Sequence, residues 1–166
     1  MFSVKYLSPI GQITLTSDGS ALTGLYFEKQ KPNFVDTYTP ACLTVFEETA
    51  SWLDCYFNGD IPQFTPELDP QGTPFKQSVW NILKTIPWGK TMTYGEIAKI
   101  IAKKKGIVKM SAQAVGTAVG HNPISIIIPC HRVVGANRSL VGYTGGIELK
   151  RKLLEIENFD FHIKDN

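Results

Sequence analysis

Pro62, Pro66, Pro70 and Gly72 crowd into the short stretch between Ile61 and Thr73, and no helix or central strand can run through a row of prolines that lack backbone donors. The chain is therefore expected to fold in two parts, residues 1–66 and 67–166, joined by a linker or long connecting loop. Ahead of the break, Phe2 to Tyr6, Gly11 to Ser17 and Leu22 to Phe27 read as strands. Ser8-Pro9-Ile10-Gly11 and Asp18-Gly19-Ser20 between them are turn formers, so the pattern is an antiparallel meander. Thr44 to Phe57 then carries Val45, Phe46, Trp52, Leu53, Tyr56 and Phe57 at helical spacing, with Asn58-Gly59-Asp60 as the stop, which supplies a helix for one face of the sheet. Cys42 and Cys55 belong to this region, where cysteine is ordinarily a small core hydrophobe.

Behind the break the pattern turns helical, giving an α+β chain. Thr73-Pro74 provides a preferred cap and first-turn residue; Phe75, Val79, Ile82, Leu83 and Ile86 share a face, and Pro87-Trp88-Gly89 ends the helix. Thr93-Tyr94-Gly95-Glu96 is a capping box, followed by an apolar stripe of Ile97, Ile100 and Ile101. After a lysine-rich turn, Lys103 to Lys109, a second helix spans Ser111 to Gly120, with Val115 and Val119 one turn apart and Gly120 or Asn122 as its stop. Two helices about a basic turn suggest a helix-turn-helix, or else two packed helices with no ligand. The second helix is built from alanine, glycine, serine and threonine, with Gln113 its one long polar side chain. It cannot make many base-edge contacts, and as a nucleic-acid reader it would bind by shape and phosphate contact.

The net charge of +2 conceals a polarity. Residues 1–71 hold three basic against nine acidic side chains, and residues 72–166 hold fourteen against six, balances of −6 and +8. A cationic second part fits a polyanion such as nucleic acid; a solvated lysine face is the other reading of Lys103-Lys104-Lys105. No segment approaches the roughly 18 apolar residues of a membrane span, and Met1-Phe2-Ser3-Val4-Lys5-Tyr6 lacks a basic region followed by an apolar core, so a cytoplasmic location is expected. The cysteines Cys42, Cys55 and Cys130 are odd in number and widely spaced, with neither zinc-site nor disulfide spacing. No metal or cofactor is implied.

Pro129-Cys130-His131-Arg132, entered from the apolar run Ile124-Ser125-Ile126-Ile127-Ile128, sets a cysteine beside a rigid proline, a base and a cation. Cysteine in an apolar run is usually inert; these neighbours are the kind that make thiolate the relevant species.

Tyr94, the Ala112-Gln113-Ala114-Val115-Gly116 helix, Asn122-Pro123, Ile128-Pro129-Cys130-His131-Arg132-Val133-Val134 and Gly142-Tyr143-Thr144-Gly145-Gly146 together closely resemble the O6-alkylguanine-DNA alkyltransferases, also called methylated-DNA-protein-cysteine methyltransferases. The match runs from about Gly72 to Glu157, while the first part is compatible with the family's ribonuclease-H-like domain. The resemblance implies direct, single-turnover repair of O6-alkylguanine, and of O4-alkylthymine, in double- and single-stranded DNA by a monomer that flips the damaged nucleotide. It implies Cys130 as the acceptor, His131 as its base acting through a water, Glu157 as the acid that orients His131, Tyr94 as phenol donor to the base, and Lys150 near the site. Lys76, Gln113, Asn122, Arg132, Ala136, Tyr143 and Thr144 match positions that contact DNA or the extruded base. The chain departs from the family in carrying Gln113 where an arginine commonly enters the base stack, and its basic turn is longer. The alternatives are a lesion-binding protein of the same fold without transfer, in which the nucleophile is commonly replaced by tryptophan; a helix-turn-helix regulator with a sensor cysteine; and a cysteine hydrolase using Cys130 and His131.

Overall fold

The computed structural model describes residues 1–30 and 43–161; Cys42 lies outside them. The chain divides into two compact units, Met1–Gln71 with Pro123–Ile127, and Gly72–Asn122 with Ile128–Asn166.

In the first unit β1 (Phe2–Ser8), β2 (Gly11–Ser17) and β3 (Leu22–Phe27) form an antiparallel sheet in the order β1-β2-β3. The strand positions read from the pattern hold, with β1 running on to Ser8. Register pairs Val4 with Leu15 and Leu15 with Leu25, which puts the large apolar side chains on one face. The second turn is tied by Asp18, whose Oδ1 accepts from the backbone N–H groups of Ser20 and Ala21 at 2.8 and 2.9 Å, an Asx turn. α1 (Thr44–Phe57) lies on the sheet and buries Val45, Phe46, Thr49, Trp52, Leu53 and Tyr56. Phe57, read as part of that apolar face, is only half-buried, and so is Cys55.

The proline-rich stretch does more than connect. Leu22 N–H donates to Glu67 O and Asp69 N–H to Leu22 O, both at 2.8 Å, and Leu25 N–H donates to Pro123 O at 2.8 Å. The outer edge of β3 is thus covered by single-residue parallel bridges to Leu68 and Ile124, which removes an open edge. The apolar run Ile124–Ile128 is fully buried, but it is not a strand. Ile127 N–H reaches back to Ser125 O at 2.8 Å across Ile126, whose φ is 68°. This is a γ-turn of the rare, strained kind, centred on a β-branched residue.

In the second unit α2 (Pro74–Leu83) is capped by Thr73, whose hydroxyl accepts from Lys76 N–H at 3.3 Å. It stops at Leu83, short of the expected Ile86. Thr85 Oγ1 donates to Ile82 O at 2.6 Å and so takes over a carbonyl of the last turn, and Pro87 disfavours helix at the residue before it. β4 (Met92–Thr93) leads into α3 (Tyr94–Lys105), with the capping box of Thr93 and Glu96 formed in both directions. The buried stripe of α3 is Ile97, Ala98, Ile101 and Ala102. Ile100, expected in it, is only half-buried, because the packed face takes the alanines instead.

α4 (Ala112–Gly120) is capped by Ser111 and ends at His121. Trp80, 1% exposed, donates from Nε1 to Ala118 O at 2.9 Å and ties α2 to α4. A single turn of 3-10 helix, Cys130–Arg132, is followed by β5 (Val133–Val134), which pairs in parallel with β4. α5 (Ile147–Ile156) closes the unit, with Glu157 as its C-cap.

Candidate active site

Every residue singled out for chemistry lies in the second unit. Cys130 begins the 3-10 turn, and its neighbour Pro129 has φ −82° and ψ 67° with Cys130 N–H donating to Ile128 O at 2.8 Å, an inverse γ-turn. The bend removes the strand alternation that would send adjacent side chains to opposite faces. Cys130, 4% exposed, and His131, 0% exposed, are therefore both held inside.

His131 Nε2 lies 2.6 Å from Glu157 Oε1. The same carboxylate accepts from Arg132 Nε at 2.8 Å and Nη2 at 3.0 Å, and Arg132 Nη1 donates to Ile86 O at 2.5 Å. Burial alone would raise the Glu157 carboxyl, but His131 and Arg132 together hold it down at about 2. Burial also keeps the His131 imidazole below its ordinary range, against the upward pull of Glu157. At neutral pH the pair is a neutral imidazole beside a carboxylate. The tautomer that donates from Nε2 makes Nδ1 the basic nitrogen.

Burial pushes the Cys130 thiol up. A hydrogen bond with the Asn122 side chain, the charge of Lys150 and a hydrogen bond with Tyr143 pull it the other way. Asn122 is fixed for this by donating Nδ2 to Ile128 O at 2.8 Å. Lys150, on α5 and 0% exposed, donates to Val133 O and, at 2.9 Å, to Val141 O. Desolvation lowers its ammonium to about 8. Its Nζ also stands 5.9 Å from the ring centre of Tyr143.

Tyr94 opens α3 beside the β4–β5 pair, with its hydroxyl 3.4 Å from both Val141 O and Gly142 O. Burial, and the nearby thiol when ionised, raise its phenol above the usual value, so it stays a proton donor. Gly142 has φ +64°, and a Cβ there would stand 3.2 Å from the Tyr94 hydroxyl. Glycine is needed both for the turn and for the close approach.

The remaining positions sit differently. Gln113 is exposed in the first turn of α4, Lys76 is half-exposed in the first turn of α2, Ala136 is exposed at the start of a short 3-10 turn, Ala136–Arg138, and Thr144 is exposed on a loop. Arg132 matched a DNA contact by resemblance, yet its guanidinium is engaged by Glu157 and Ile86, with the side chain 12% exposed. Its place is beneath the site as the support of Glu157. Sequence reasoning missed that role and also the Val141 carbonyl, on which Lys150 and Tyr94 converge. A backbone acceptor leaves no mark on a sequence pattern.

This arrangement gathers Asn122, Lys150 and Tyr143 about one buried sulfur, where they oppose the upward push of burial on its thiol, and keeps a phenol protonated nearby. The family model described as the 6-O-methylguanine DNA methyltransferase ribonuclease-like domain matches residues 1–70, and the model of that family's DNA binding domain matches residues 74–159. The methylated-DNA-protein-cysteine methyltransferase of Mycobacterium bovis is 47% identical over 150 residues, which span 90% of this chain and 88% of that one. The protein of the same name from Methanosarcina acetivorans is 44% identical over 158 residues, covering 95% and 98%. The crystal structure of Mycobacterium tuberculosis OGT in complex with DNA superposes with a TM-score of 0.84 at 46% identity, over 95% of this chain and 92% of that one. With both halves matched in order, this chain belongs to the 6-O-methylguanine DNA methyltransferase family.

Proposed function

We propose that this chain repairs O6-alkylguanine in DNA, and O4-alkylthymine, by moving the alkyl group once and irreversibly onto the sulfur of Cys130. The observation that carries the reading is a buried cysteine one residue from a histidine whose Nε2 is 2.6 Å from a buried carboxylate, in a member of this family. Displacement at a saturated carbon needs a soft nucleophile, and a free cysteine is only a few per cent thiolate at neutral pH. His131 takes the thiol proton through a bridging water, and Glu157 fixes the imidazole and balances the charge it gains, the logic of a nucleophile, base and orienting acid. The S–C bond forms as the C–O6 bond breaks. The departing base carries the electron pair away as an anion, with Tyr94 as its proton donor. Overall the thiol hydrogen ends on guanine and the alkyl group on sulfur. The thioether does not hydrolyse, so each molecule acts once.

A duplex hides O6, so the nucleotide is turned out of the stack at a cost of a few kcal/mol. Gln113, exposed at the start of α4, fills the gap as a neutral amide. Asn122, Tyr143 and Thr144 border the extruded base, while Lys76 and Ala136 meet the DNA. The protein is a cytoplasmic monomer acting on double- and single-stranded DNA; among its described residues no helix is long and apolar enough to cross a membrane. Gln113→Ala is expected to slow transfer from duplex more than from single strands, measured as single-turnover rates; equal slowing removes its stack-filling role.

The deciding experiment is intact-mass analysis after mixing with DNA bearing O6-methylguanine. A gain of about one methylene, at most one per protein and mapped to Cys130, is expected for an S-methyl adduct. Binding without any mass gain would instead mark a lesion-binding protein, and a hydrolase would give turnover.

A further inference from the structure

We propose that Arg138 is a positioning residue for alkyl transfer, clasping the loop after β5 to the foot of β4 and so fixing the carbonyls that hold the Tyr94 phenol. The proposal rests on the repair reading above and adds to it a residue outside the site. Arg138 ends the 3-10 turn Ala136–Arg138, and both it and Asn137 stand at φ 58°. Asparagine visits that left-handed region readily, whereas arginine meets the clash of its Cβ with the following carbonyl oxygen. Such a residue persists only where its surroundings over-determine it. Its guanidinium supplies an anchor, donating from Nη1 to Thr91 Oγ1 and, at 3.4 Å, to Thr91 O. Thr91 is the residue just before β4, and Tyr94 is the residue just after it.

From this anchor the loop is braced all the way to the site. Gly135 N–H donates to Ser139 O at 2.8 Å and Arg138 N–H to Gly135 O at 3.1 Å, which closes the turn on itself. A Cβ on Gly135 would stand 2.5 Å from Ser139 Oγ and 2.9 Å from Val141 Cγ2, so the Val141 side chain is seated on bare Gly135 backbone. Val141 O then accepts from Lys150 Nζ at 2.9 Å, and the Tyr94 hydroxyl lies 3.4 Å from both Val141 O and Gly142 O. Those two contacts are longer than the usual O–H···O distance of about 2.7–2.8 Å. The phenol is therefore held loosely enough to turn its proton to a leaving base, and its aim depends on where the loop stands. Pairing of Val134 with Thr93 fixes the start of the loop, Arg138 fixes its middle and Lys150 its end. The guanidinium is not core filling. It borders a cavity of about 300 Å³ lined also by Lys90, Asn158 and Asp160, so an apolar side chain of similar length fits there without displacing packed neighbours.

The test is the single-turnover transfer rate at saturating duplex bearing O6-methylguanine, for the wild type, Arg138→Met, Arg138→Lys, Tyr94→Phe, and Tyr94→Phe combined with Arg138→Met. Arg138→Met is expected to slow transfer about tenfold by misplacing the donor, with the Kd for lesion-free duplex and its salt dependence unchanged. Arg138→Lys, which puts a point charge where a planar fork stood, is expected to recover part of the loss. In the Tyr94→Phe background the methionine change is expected to cost less than about twofold, because residues acting through one contact are non-additive. Thr91→Val removes the hydroxyl acceptor and keeps the shape; it is expected to slow transfer about threefold and to lose that effect in the Tyr94→Phe background. A loss in that background as large as in the wild type overturns the proposal, since a general loosening of the fold would be additive. Unchanged rates in Arg138→Met and Thr91→Val overturn it as well. A slope of log K against log salt smaller by about 0.9 in Arg138→Met also overturns it and makes Arg138 a phosphate contact. If Arg138→Met does not fold, Thr91→Val decides by the same criterion. A wild type that gains no alkyl mass overturns the repair reading itself, whereas mass gained at equal rates by wild type, Arg138→Met and Thr91→Val overturns only the clasp.

Discussion

Replacing Glu157 by glutamine is expected to slow alkyl transfer about a hundredfold or more and to destabilise the fold at neutral pH by about 3–5 kcal/mol. The carboxylate is 1% exposed and receives three side-chain hydrogen bonds, one from His131 and two from Arg132. Glutamine keeps the shape but offers one acceptor oxygen and turns an NH2 group toward a neighbour that also donates. Arg132 would then hold its charge in a partly buried place without a counter-charge. The catalytic loss follows separately. Glu157 is what raises the His131 imidazole against burial, so without it His131 becomes a weaker base and takes the thiol proton less readily. The acid limb of the rate profile, already below the ordinary histidine range, should move lower still while the plateau falls. A purely structural role would lower the plateau and leave the limb in place.

The linkage also has a definite sign. The Glu157 carboxyl is depressed from its ordinary 4.5 to about 2, so its contribution is complete above pH 4.5 and is lost as pH falls through about 2. Urea unfolding of wild type and variant should therefore converge in strong acid. A gap that stays constant from pH 7 to pH 2 would contradict this account.

Lys150→Met is the second large change. The lysine is fully buried, and its ammonium lies at about 8 in the folded protein against an ordinary 10.5. Between those two pH values the unfolded chain binds a proton that the folded chain does not. Wild-type stability relative to the methionine variant should therefore rise across that window, by at most about 3 kcal/mol, and be constant below it. At neutral pH the variant loses the cation that draws the Cys130 thiol down and the donor that holds Val141. Transfer is expected to fall about tenfold for each pKa unit by which the thiol rises. A single-turnover rate equal to wild type at pH 7 would show that Lys150 neither tunes the thiol nor holds the loop.

Most of the secondary structure was legible because it is locally encoded. The bounds of α1, β2 and β3 follow from apolar spacing and turn residues, and the Thr93–Glu96 capping box announces α3 from four letters. One misread boundary and one feature left without an assignment have physical causes. α2 was read through to Ile86 because periodicity cannot register the Thr85 hydroxyl that takes over a helix carbonyl. The apolar run before Cys130 holds a γ-turn with Ile126 at positive φ, a conformation that isoleucine disfavours on its own and that only the surrounding packing can impose. For the site, Pro129-Cys130-His131-Arg132 stood out by residue type. Its supporting contacts did not, because Glu157 lies 26 residues from His131 and 25 from Arg132 and the spacing carries no periodic signal.

The membership of Pro123–Ile127 in the first unit bears on how such a protein can be rebuilt. Two modules strung end to end can be shuffled by a single crossover in the connecting segment. Here a crossover within the proline-rich stretch would draw β3 from one parent and positions 123 and 125, whose backbones hydrogen-bond Leu25 on its outer edge, from the other. A chimera that keeps the first unit whole would therefore carry these five residues along with the sheet they complete.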